Sequence, residues 1–308
     1  MEKVIEVKKL IKKYDELIAV SGISFEVNRG EIFGLLGENG AGKTTTLEMI
    51  EGLRKPSSGK IKVLGFDIQH DLKSIKEKIG VQLQSSAYYK FLKLGEILKL
   101  FSGFYNKSVN ADELLRIVDL EAKKDQFVLN LSGGQRQRFS IIASLVNDPE
   151  IVFLDEPTTG LDPLARHRLW DVIAGIKSKG KTIVLTTHYM EEAEILCDRV
   201  AIMDRGKIVV LDETHKLISR AEHPFKINFI LGADDEKFIS FLSEKFKLKD
   251  HISRFPGKDA HFEIRIASQK ELNEILTEIQ KRAPESLTVG RATLEDLFIQ
   301  LTGKKLSE

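Results

Sequence analysis

The chain has 308 residues, 42% of them hydrophobic, and its 47 basic and 46 acidic side chains leave a formal net charge of +1. This length suggests two domains, and the even charge gives no reason to expect a nucleic-acid or anionic-lipid surface. The single cysteine, Cys197, excludes an intramolecular disulfide, and no apolar run reaches the ~20 residues that span a bilayer. Without a secretory signal pattern either, we expect a soluble protein that needs another chain for any membrane step.

Up to about residue 215, short apolar segments alternate with helical ones, which is typical of a largely parallel α/β sheet. The first segment, Val4–Val27, has short alternating runs and predicts an antiparallel β flank. Strands are predicted at Ile32–Leu36, Ile151–Leu154 and Thr182–Thr186, because each is short, apolar and followed by polar residues.

A glycine-rich loop follows the first of these strands and opens a helix near Lys43, which is the context that a P-loop requires. Its glycines let backbone N–H groups curl around phosphate oxygens, and the helix N-terminus favours negative charge. Lys43 can reach the β- and γ-phosphates, and the Thr44 hydroxyl can contact Mg²⁺. The alternative, a plain glycine-rich turn, would not explain why the strand, the lysine and the threonine all stand at P-loop spacing. The predicted nucleotide-binding residues of the loop are Gly37, Glu38, Asn39, Gly40, Ala41, Gly42, Lys43, Thr44 and Thr45.

Two carboxylates, Asp155 and Glu156, end the strand Ile151–Leu154. Neighbouring parallel strands would bring this strand end close to the P-loop. Asp155 then suits a Mg²⁺ contact through water, and Glu156 can polarise an attacking water. The alternative is a solvated strand end, where acidic residues are common.

The stretch LSGGQ, at Leu131–Gln135, precedes a helix predicted at Gln137–Val146. Between a P-loop and an acidic strand end, it makes the chain resemble the ATP-binding cassette (ABC) ATPases over about residues 4 to 215. A helix N-terminus is an anion site, and a chain with its own P-loop has no use for a second one unless that site caps the nucleotide of another subunit. The resemblance implies a head-to-tail dimer with two ATP molecules between P-loop and signature. Its signature contacts are Ser132, Gly133, Gly134 and Gln135.

Four further positions match family motifs one by one. Tyr14 matches the aromatic residue that stacks on adenine, with an ordinary sheet-edge tyrosine as the alternative. Gln84 matches the glutamine that contacts Mg²⁺ and the attacking water, and Gln82 is a nearby rival. Asp162 matches the loop that crosses to the other subunit, or else lies in a plain turn. His188 matches the switch histidine that hydrogen-bonds the γ-phosphate, although a lone histidine is more often structural.

The resemblance implies a helical subdomain at about residues 85–145, and the segment from Gln84 to Leu131 matches the one where transporter ATPases receive their membrane partner. It holds an amphipathic run, Leu94–Phe104, and no coiled-coil insertion of the kind found in chromosome-organising and DNA-repair relatives. The stretches HYMEEAE and RATLEDLF resemble an exporter subfamily associated with drugs, lipids or polysaccharides. We expect Glu191, Glu192 and Glu194 of the first stretch to lie on a solvated helix face.

Residues 216–308 lack a phosphate loop and predict a small α+β domain after an ABC domain at residues 1–215. Phe225–Ile230 and Phe262–Ile266 alternate like half-buried strands. A helix is predicted at Ser268–Ala283, where Ser268 and Glu271 form a capping box, and a final helix at Thr293–Leu301. A regulatory or dimer-supporting role is a hypothesis based on position.

We therefore expect an ATPase with ATP and Mg²⁺ as cofactors, which powers export from the cytoplasmic face of a membrane. Its expected partners are a second copy of the ATPase subunit and an integral membrane transporter subunit, with no nucleic acid. The alternatives are an importer ATPase or a soluble ABC ATPase acting on a protein or nucleic-acid assembly. A P-loop kinase would leave LSGGQ unexplained.

Overall fold

The computed structural model describes residues 2–82, 88–89, 91–231, 236–248, 251–255 and 260–303. Contacts between Cα atoms divide the chain into two compact units, residues 1–214 and 215–308. None of the helices in the described residues combines the length and apolarity needed to cross a bilayer.

A six-stranded sheet forms the centre of the first unit. In this sheet the strand order is β10-β9-β3-β8-β7-β6, and every neighbouring pair is parallel except β9 and β10. The predicted α/β fold is thus confirmed. The strands of the unit are, in chain order, β1 (Lys3–Tyr14), β2 (Leu17–Asn28), β3 (Ile32–Leu36), β4 (Ser58–Val63), β5 (Phe66–Asp67), β6 (Ile79–Gln82), β7 (Ile151–Asp155), β8 (Thr182–Thr187), β9 (Arg199–Asp204) and β10 (Lys207–Glu213).

Three central strands, β3, β7 and β8, are buried at every residue, as expected for parallel strands covered on both faces. Their registers pair Leu36 with Thr187 and Asp155 with Thr186. The carboxyl ends of the three strands therefore meet at one edge of the sheet. That edge is where the loops after β3, β7 and β8 begin.

A second sheet, β2-β1-β4-β5, is antiparallel throughout and confirms the predicted flank. Its strands β1 and β2 are each 12 residues long, although the alternating runs in their sequence are short. Register shifts interrupt their pairing, for example between Val7 and Leu10, and such irregularities break the alternation that marks a long strand in sequence.

Helices flank the six-stranded sheet. The helix predicted at Gln137 begins four residues earlier, since Ser132 caps it and forms a capping box with Gln135. The helices of the first unit are α1 (Lys43–Ile50), α2 (Leu72–Lys76), α3 (Leu94–Ser102), α4 (Ala111–Ile117), α5 (Gly133–Ala143), α6 (Pro163–Ser178) and α7 (Met190–Leu196).

The solvated face predicted for the three glutamates of α7 is wrong for Glu192. Its side chain is fully buried, and Trp170 Nε1 on α6 donates a hydrogen bond of 3.2 Å to Glu192 Oε1. The short helix packs against α6 and the sheet, so its inner face carries Glu192 beside Ala193, while Glu191 is exposed.

The second unit is α+β, as predicted, with a four-stranded antiparallel sheet in the order β12-β13-β11-β14. Its βαββαβ succession is that of ferredoxin-like folds. Buried Phe229 and Ile264 of the sheet pack with Leu272 and Ile275 of α10. The elements are α8 (Thr214–Ser219), β11 (Phe225–Leu231), α9 (Glu236–Lys245), β12 (Ile252–Phe255), β13 (Ala260–Ile266), α10 (Gln269–Gln280), β14 (Ser286–Arg291) and α11 (Leu294–Thr302).

Both helices predicted in this unit, one of them from a capping box, are present. Ser268 Oγ accepts a hydrogen bond from the Glu271 amide, and α10 ends three residues before the predicted Ala283. Thr293 caps α11 in the same way.

Candidate functional site

The loop between β3 and α1 has a backbone that only glycine accommodates at two positions. Gly42 has a φ of 99°, and a Cβ there would lie 2.5 Å from the carbonyl oxygen of Ala19. A Cβ on Gly37 would lie 2.3 Å from the carbonyl oxygen of Met203. The chain therefore turns tightly into α1, whose first amides face the loop and lack partners within the helix.

Lys43, the first residue of α1, extends its side chain back across this loop. Its Nζ donates to the carbonyl oxygens of Gly37 (2.8 Å) and Glu38 (3.1 Å) and lies 3.4 Å from Glu156 Oε1. Burial lowers the pKa of the Lys43 ammonium, while the neighbouring carboxylates of Glu156 and Asp155 oppose that shift. The ammonium is held within the loop, where phosphate oxygens of a nucleotide would replace its carbonyl partners.

Asp155, the last residue of β7, receives two hydroxyl groups on one carboxylate oxygen. Thr44 Oγ1 donates to Asp155 Oδ1 at 3.1 Å, and Thr186 Oγ1 donates to the same atom. Burial raises the pKa of Asp155, although these hydrogen bonds oppose the shift. Thr186 was predicted as the last residue of a strand but not as a site residue, and the sequence signals for it are that strand end and its position two residues before His188.

Glu156 follows in a left-handed backbone conformation, with a φ of 46° that is unusual for a non-glycine residue. Its amide donates to the Thr186 carbonyl oxygen and hydroxyl, at 3.2 and 3.0 Å. Thr159 Oγ1 donates to Glu156 Oε2 at 3.1 Å. Burial raises the pKa of Glu156, but Lys43 and His188 outweigh it, so the net shift is downward and favours the carboxylate.

His188 follows β8 and completes this cluster. Its Nδ1 lies 3.4 Å from Glu156 Oε2. The His188 and Tyr189 rings are 4.1 Å apart, and the Arg166 guanidinium lies 4.4 Å from the centre of the Tyr189 ring. Arg166 is on α6, so a stack of three side chains connects that helix to the histidine.

A cavity of about 650 Å³ opens over the P-loop. Tyr14 lines it, with Lys12 Nζ 5.0 Å and the Arg54 guanidinium 5.4 Å from the centre of its ring. Asn39, Gly40, Gly42, Lys43, Thr44, Thr45 and Glu156 line the same cavity. Gln84, predicted to contact Mg²⁺ and water, lies outside the described residues.

The predicted signature residues lie at the start of α5. Ser132 Oγ accepts from the Gln135 amide at 3.3 Å, and Gln135 Oε1 accepts from the Ser132 amide at 3.1 Å. With Gly133 and Gly134 they line a second cavity, of about 450 Å³, together with Asp162. Asp162 Oδ1 accepts from the Ala165 amide at 2.9 Å and so caps α6.

The two cavities have no lining residue in common. Lys43, Asp155, Glu156 and His188 are brought together at the sheet edge, whereas the signature residues and Asp162 line a separate surface. One chain thus presents two separate cavities with different chemistry.

Magnesium fits the oxygen donors at the first cavity. Thr44 supplies a hydroxyl and Asp155 a carboxylate, which are hard oxygen ligands of the kind that Mg²⁺ prefers. The described residues hold no cluster of three or more acidic, histidine or cysteine side chains that could bind a metal unaided.

Comparisons with known proteins agree with this geometry. Residues 20–159 match the protein family described as ABC transporter. The chain is 37% identical to the Nod factor export ATP-binding protein I of Burkholderia orbicola (strain AU 1054), over 99% of this chain and 98% of that protein. Its identity to the protein of the same name from Mesorhizobium japonicum is 36%, over 96% and 86%.

Solved structures resemble the first unit. The structure of an ATP-binding subunit of an ABC transporter aligns with a TM-score of 0.64 and 31% identity, covering 70% of this chain and 92% of that one. A dimeric ATP-binding cassette in a post-hydrolysis state, bound to ADP and Pi, aligns with a TM-score of 0.61 and 25% identity, covering 68% and 98%.

Proposed function

This chain belongs to the ABC transporter family as an ATP-binding and ATP-hydrolysing subunit, and from that premise we propose that it drives export through a separate membrane subunit. It would act at the cytoplasmic face of the membrane as a head-to-tail pair of ATPase subunits. Two relatives are named as export ATP-binding proteins, which supports the direction of transport.

The dimer proposal rests on the separation of the two cavities, each of which would form one half of a nucleotide site and is called a half-site below. The first cavity holds Lys43 and Glu156, and the second holds the Ser132 cap and the α5 amides, with no residue in common. An anion site at a helix N-terminus is useful to the reaction only if it meets a nucleotide. In a head-to-tail pair, the second cavity of each subunit would cover the nucleotide in the first cavity of the other.

In a nucleotide site formed by two subunits, the residues of this chain would have separate roles. Tyr14 would stack on adenine, and the loop amides with Lys43 would neutralise the phosphates. Glu156 is a carboxylate next to Lys43 and His188, positioned to accept a hydrogen bond from the attacking water. His188 would donate a hydrogen bond to the γ-phosphate, and Asp162 would approach the other subunit.

Thr44 and Asp155 are the described residues that would hold Mg²⁺, and Gln84 is proposed as a further ligand. The ion supplies charge neutralisation of the β- and γ-phosphate oxygens when bound. The hydrogen bond between Thr44 and Asp155 already fixes both donors at the mouth of the P-loop.

The membrane subunit would dock on the helical subdomain. A cavity of about 440 Å³ lies there, lined by Phe101 near the end of α3, by Phe104 and Tyr105 just after that helix, and by Ile79 and Val81 of β6. Phe104 has 70% of its surface exposed, which is costly in water unless a partner covers it. We call this cavity the α3–β6 groove.

The dimer is tested in a Glu156→Gln background, where ATP should accumulate the paired form. Adding Ser132→Arg should abolish ATP-dependent pairing, because a bulky cation would fill the second cavity, while ATP binding to the monomer persists. Light scattering after gel filtration measures the pairing, and isothermal titration measures ATP binding. Ser178→Arg, an exposed serine at the far end of α6, is the matched control.

Loss of monomer ATP binding in Ser132→Arg would contradict the two-subunit site. The export assignment is tested separately, by purifying the tagged chain from membranes and identifying what accompanies it. An integral membrane subunit supports it, whereas recovery of only ribosomal or DNA-associated proteins would favour an ATPase of a soluble assembly.

A further inference from the structure

Glu51 lies at the bottom of the α3–β6 groove, directly after the last residue of α1. Its side chain is 2% exposed, and within the described part of the chain no hydrogen-bond partner reaches its buried Oε1. A buried carboxyl oxygen that loses its water without gaining a donor is costly. Elsewhere in this unit, buried Asp155 receives two hydroxyl donors on one oxygen, whereas Glu192 receives the Trp170 donor on Oε1 and none that is described on Oε2.

The groups around Glu51 increase this cost. Burial, and then the negative charges of Asp155 and Glu48, raise the pKa of Glu51 to about 8. Lys76 also lines the groove, but within the described residues no basic group forms an ion pair with Glu51. The other polar side chains of the lining come from Tyr88, Tyr105, Ser140 and Ser144.

The groove thus combines apolar walls with one unsatisfied acid. The complementary ligand is an apolar segment with one cationic donor, because apolar area matches the walls and the cation matches the carboxylate. A nucleotide does not fit this description, since its phosphates would meet the Glu51 carboxyl inside a mostly apolar lining.

We propose that Glu51 recognises a lysine or arginine carried on an apolar segment of the membrane subunit. The inference rests on the proposed function, which supplies the membrane subunit and its place on the helical subdomain. It adds the chemistry by which that subunit is selected, namely one buried ion pair in an otherwise apolar contact.

The position of Glu51 would couple this contact to the nucleotide site. Helix α1 begins at Lys43 in the P-loop and ends at Ile50, so Glu51 is one eight-residue helix away from the phosphate site. A rise of about 1.5 Å per residue makes this roughly 12 Å. Formation of the ion pair at Glu51 would therefore influence the P-loop at the other end of α1.

The experiment uses the full chain in its own cells, with a photo-crosslinking phenylalanine analogue at Phe104 on the rim of the groove. The crosslinked peptide is identified by mass spectrometry, and we expect an integral membrane subunit whose crosslinked segment is apolar and contains a lysine or arginine. Glu51→Gln should reduce recovery of that subunit at least tenfold. Glu113→Lys, an exposed acid on α4, should leave recovery unchanged.

A charge exchange decides whether the carboxylate acts as a partner or only fills space. Glu51→Lys alone should abolish recovery, and joining it with exchange of the partner's basic residue for glutamate should restore it. ATP binding by Glu51→Gln, measured by titration, shows that the variant is folded.

Three outcomes overturn parts of the scheme separately. A crosslinked segment without a basic residue, or undiminished recovery with Glu51→Gln, overturns the ion pair and leaves the export assignment standing. A membrane subunit that co-purifies but never crosslinks at Phe104 removes the groove from the interface. If no membrane subunit co-purifies with the unmodified chain, the export assignment itself fails.

Discussion

The proposed γ-phosphate end of the nucleotide site depends on the backbone of a single residue. Glu156 takes a left-handed conformation, which costs a non-glycine residue of order 1 kcal/mol, and its amide bonds to Thr186 hold it there. The result places its carboxylate between Lys43 and His188. The conformation is maintained by β8, so the geometry of the proposed base is set from the neighbouring strand.

Replacing Glu156 by glutamine tests the proposed base. The amide keeps the size of the side chain but cannot take a proton, so we expect ATP binding close to normal and hydrolysis reduced by about 100-fold or more. Single-turnover release of phosphate measures the step. Hydrolysis at the normal rate would remove Glu156 from this role.

Glu51 predicts a dependence of stability on pH. In the folded chain its pKa is raised to about 8 from an ordinary value of 4.5, so the proton bound there stabilises the fold fully below pH 4.5. That contribution is lost as pH rises towards 8. Glu51→Gln lacks this titrating group. Its free energy of unfolding, relative to that of the wild type, should therefore increase by about 1–3 kcal/mol between pH 5.5 and 7.5.

Urea unfolding of both proteins at the two pH values, without nucleotide, measures the difference. A constant difference between wild type and Glu51→Gln across this range would show that the carboxyl is already paired in the isolated chain.

At the scale of elements, the motifs located the strand ends better than the helices. Gly37–Thr44, Asp155 and His188 were predicted correctly as neighbours, because each ends a buried parallel strand and such strands share an edge. The start of α5 and the burial of Glu192 were not predicted, since a polar sequence does not reveal which face meets another helix. For the same reason Glu51 could not be singled out from sequence.

Helix α6 has a side-chain connection to the loop after β8. Arg166 contacts the Tyr189 ring, which contacts His188, and the Arg166 amide donates to the carbonyl oxygen of Asp162 at 3.0 Å. The loop proposed to face the second subunit is therefore tied to the proposed γ-phosphate contact of its own subunit.

Loss of the Tyr189 ring should disturb this connection. We expect Tyr189→Leu to lower kcat by about ten- to hundredfold with little change in ATP affinity, because His188 would lose the ring that orients it. Tyr189→Phe keeps the ring and is the control. Steady-state ATPase assays combined with ATP titration measure both quantities, and an equal loss in both variants would exclude the ring as the cause.

At the scale of the whole molecule, the chain consists of two units that each have a core. The second unit contains none of the residues Lys43, Asp155, Glu156 and His188, and buried side chains such as Phe229 and Ile264 form a core within it. We propose that it has a regulatory or dimer-supporting role. Its fold class followed from alternation and capping residues, whereas its strand order depends on pairings between distant segments that no local pattern contains.

A substitution in the second core should leave nucleotide binding intact. Phe229 is 1% exposed, so Phe229→Ala should cost about 3–5 kcal/mol of the second unit's stability. Phe241, 44% exposed on α9, is the control and should cost much less on replacement by alanine. Hydrogen exchange measures which unit loses stability, and ATP titration measures nucleotide binding by the first unit. Reduced ATP binding would show that the units are not independent.

The absence of shared residues between the two cavities has a genetic consequence. Suppose that Lys43→Ala disables only the first half-site of a chain and Ser132→Arg only the second. A mixed pair of these two inactive proteins would contain one site built wholly from damaged halves and one built wholly from intact halves. Co-expressed at equal levels, the two alleles should therefore complement each other to about a quarter of the normal number of sites, while a single allele carrying both changes should rescue neither.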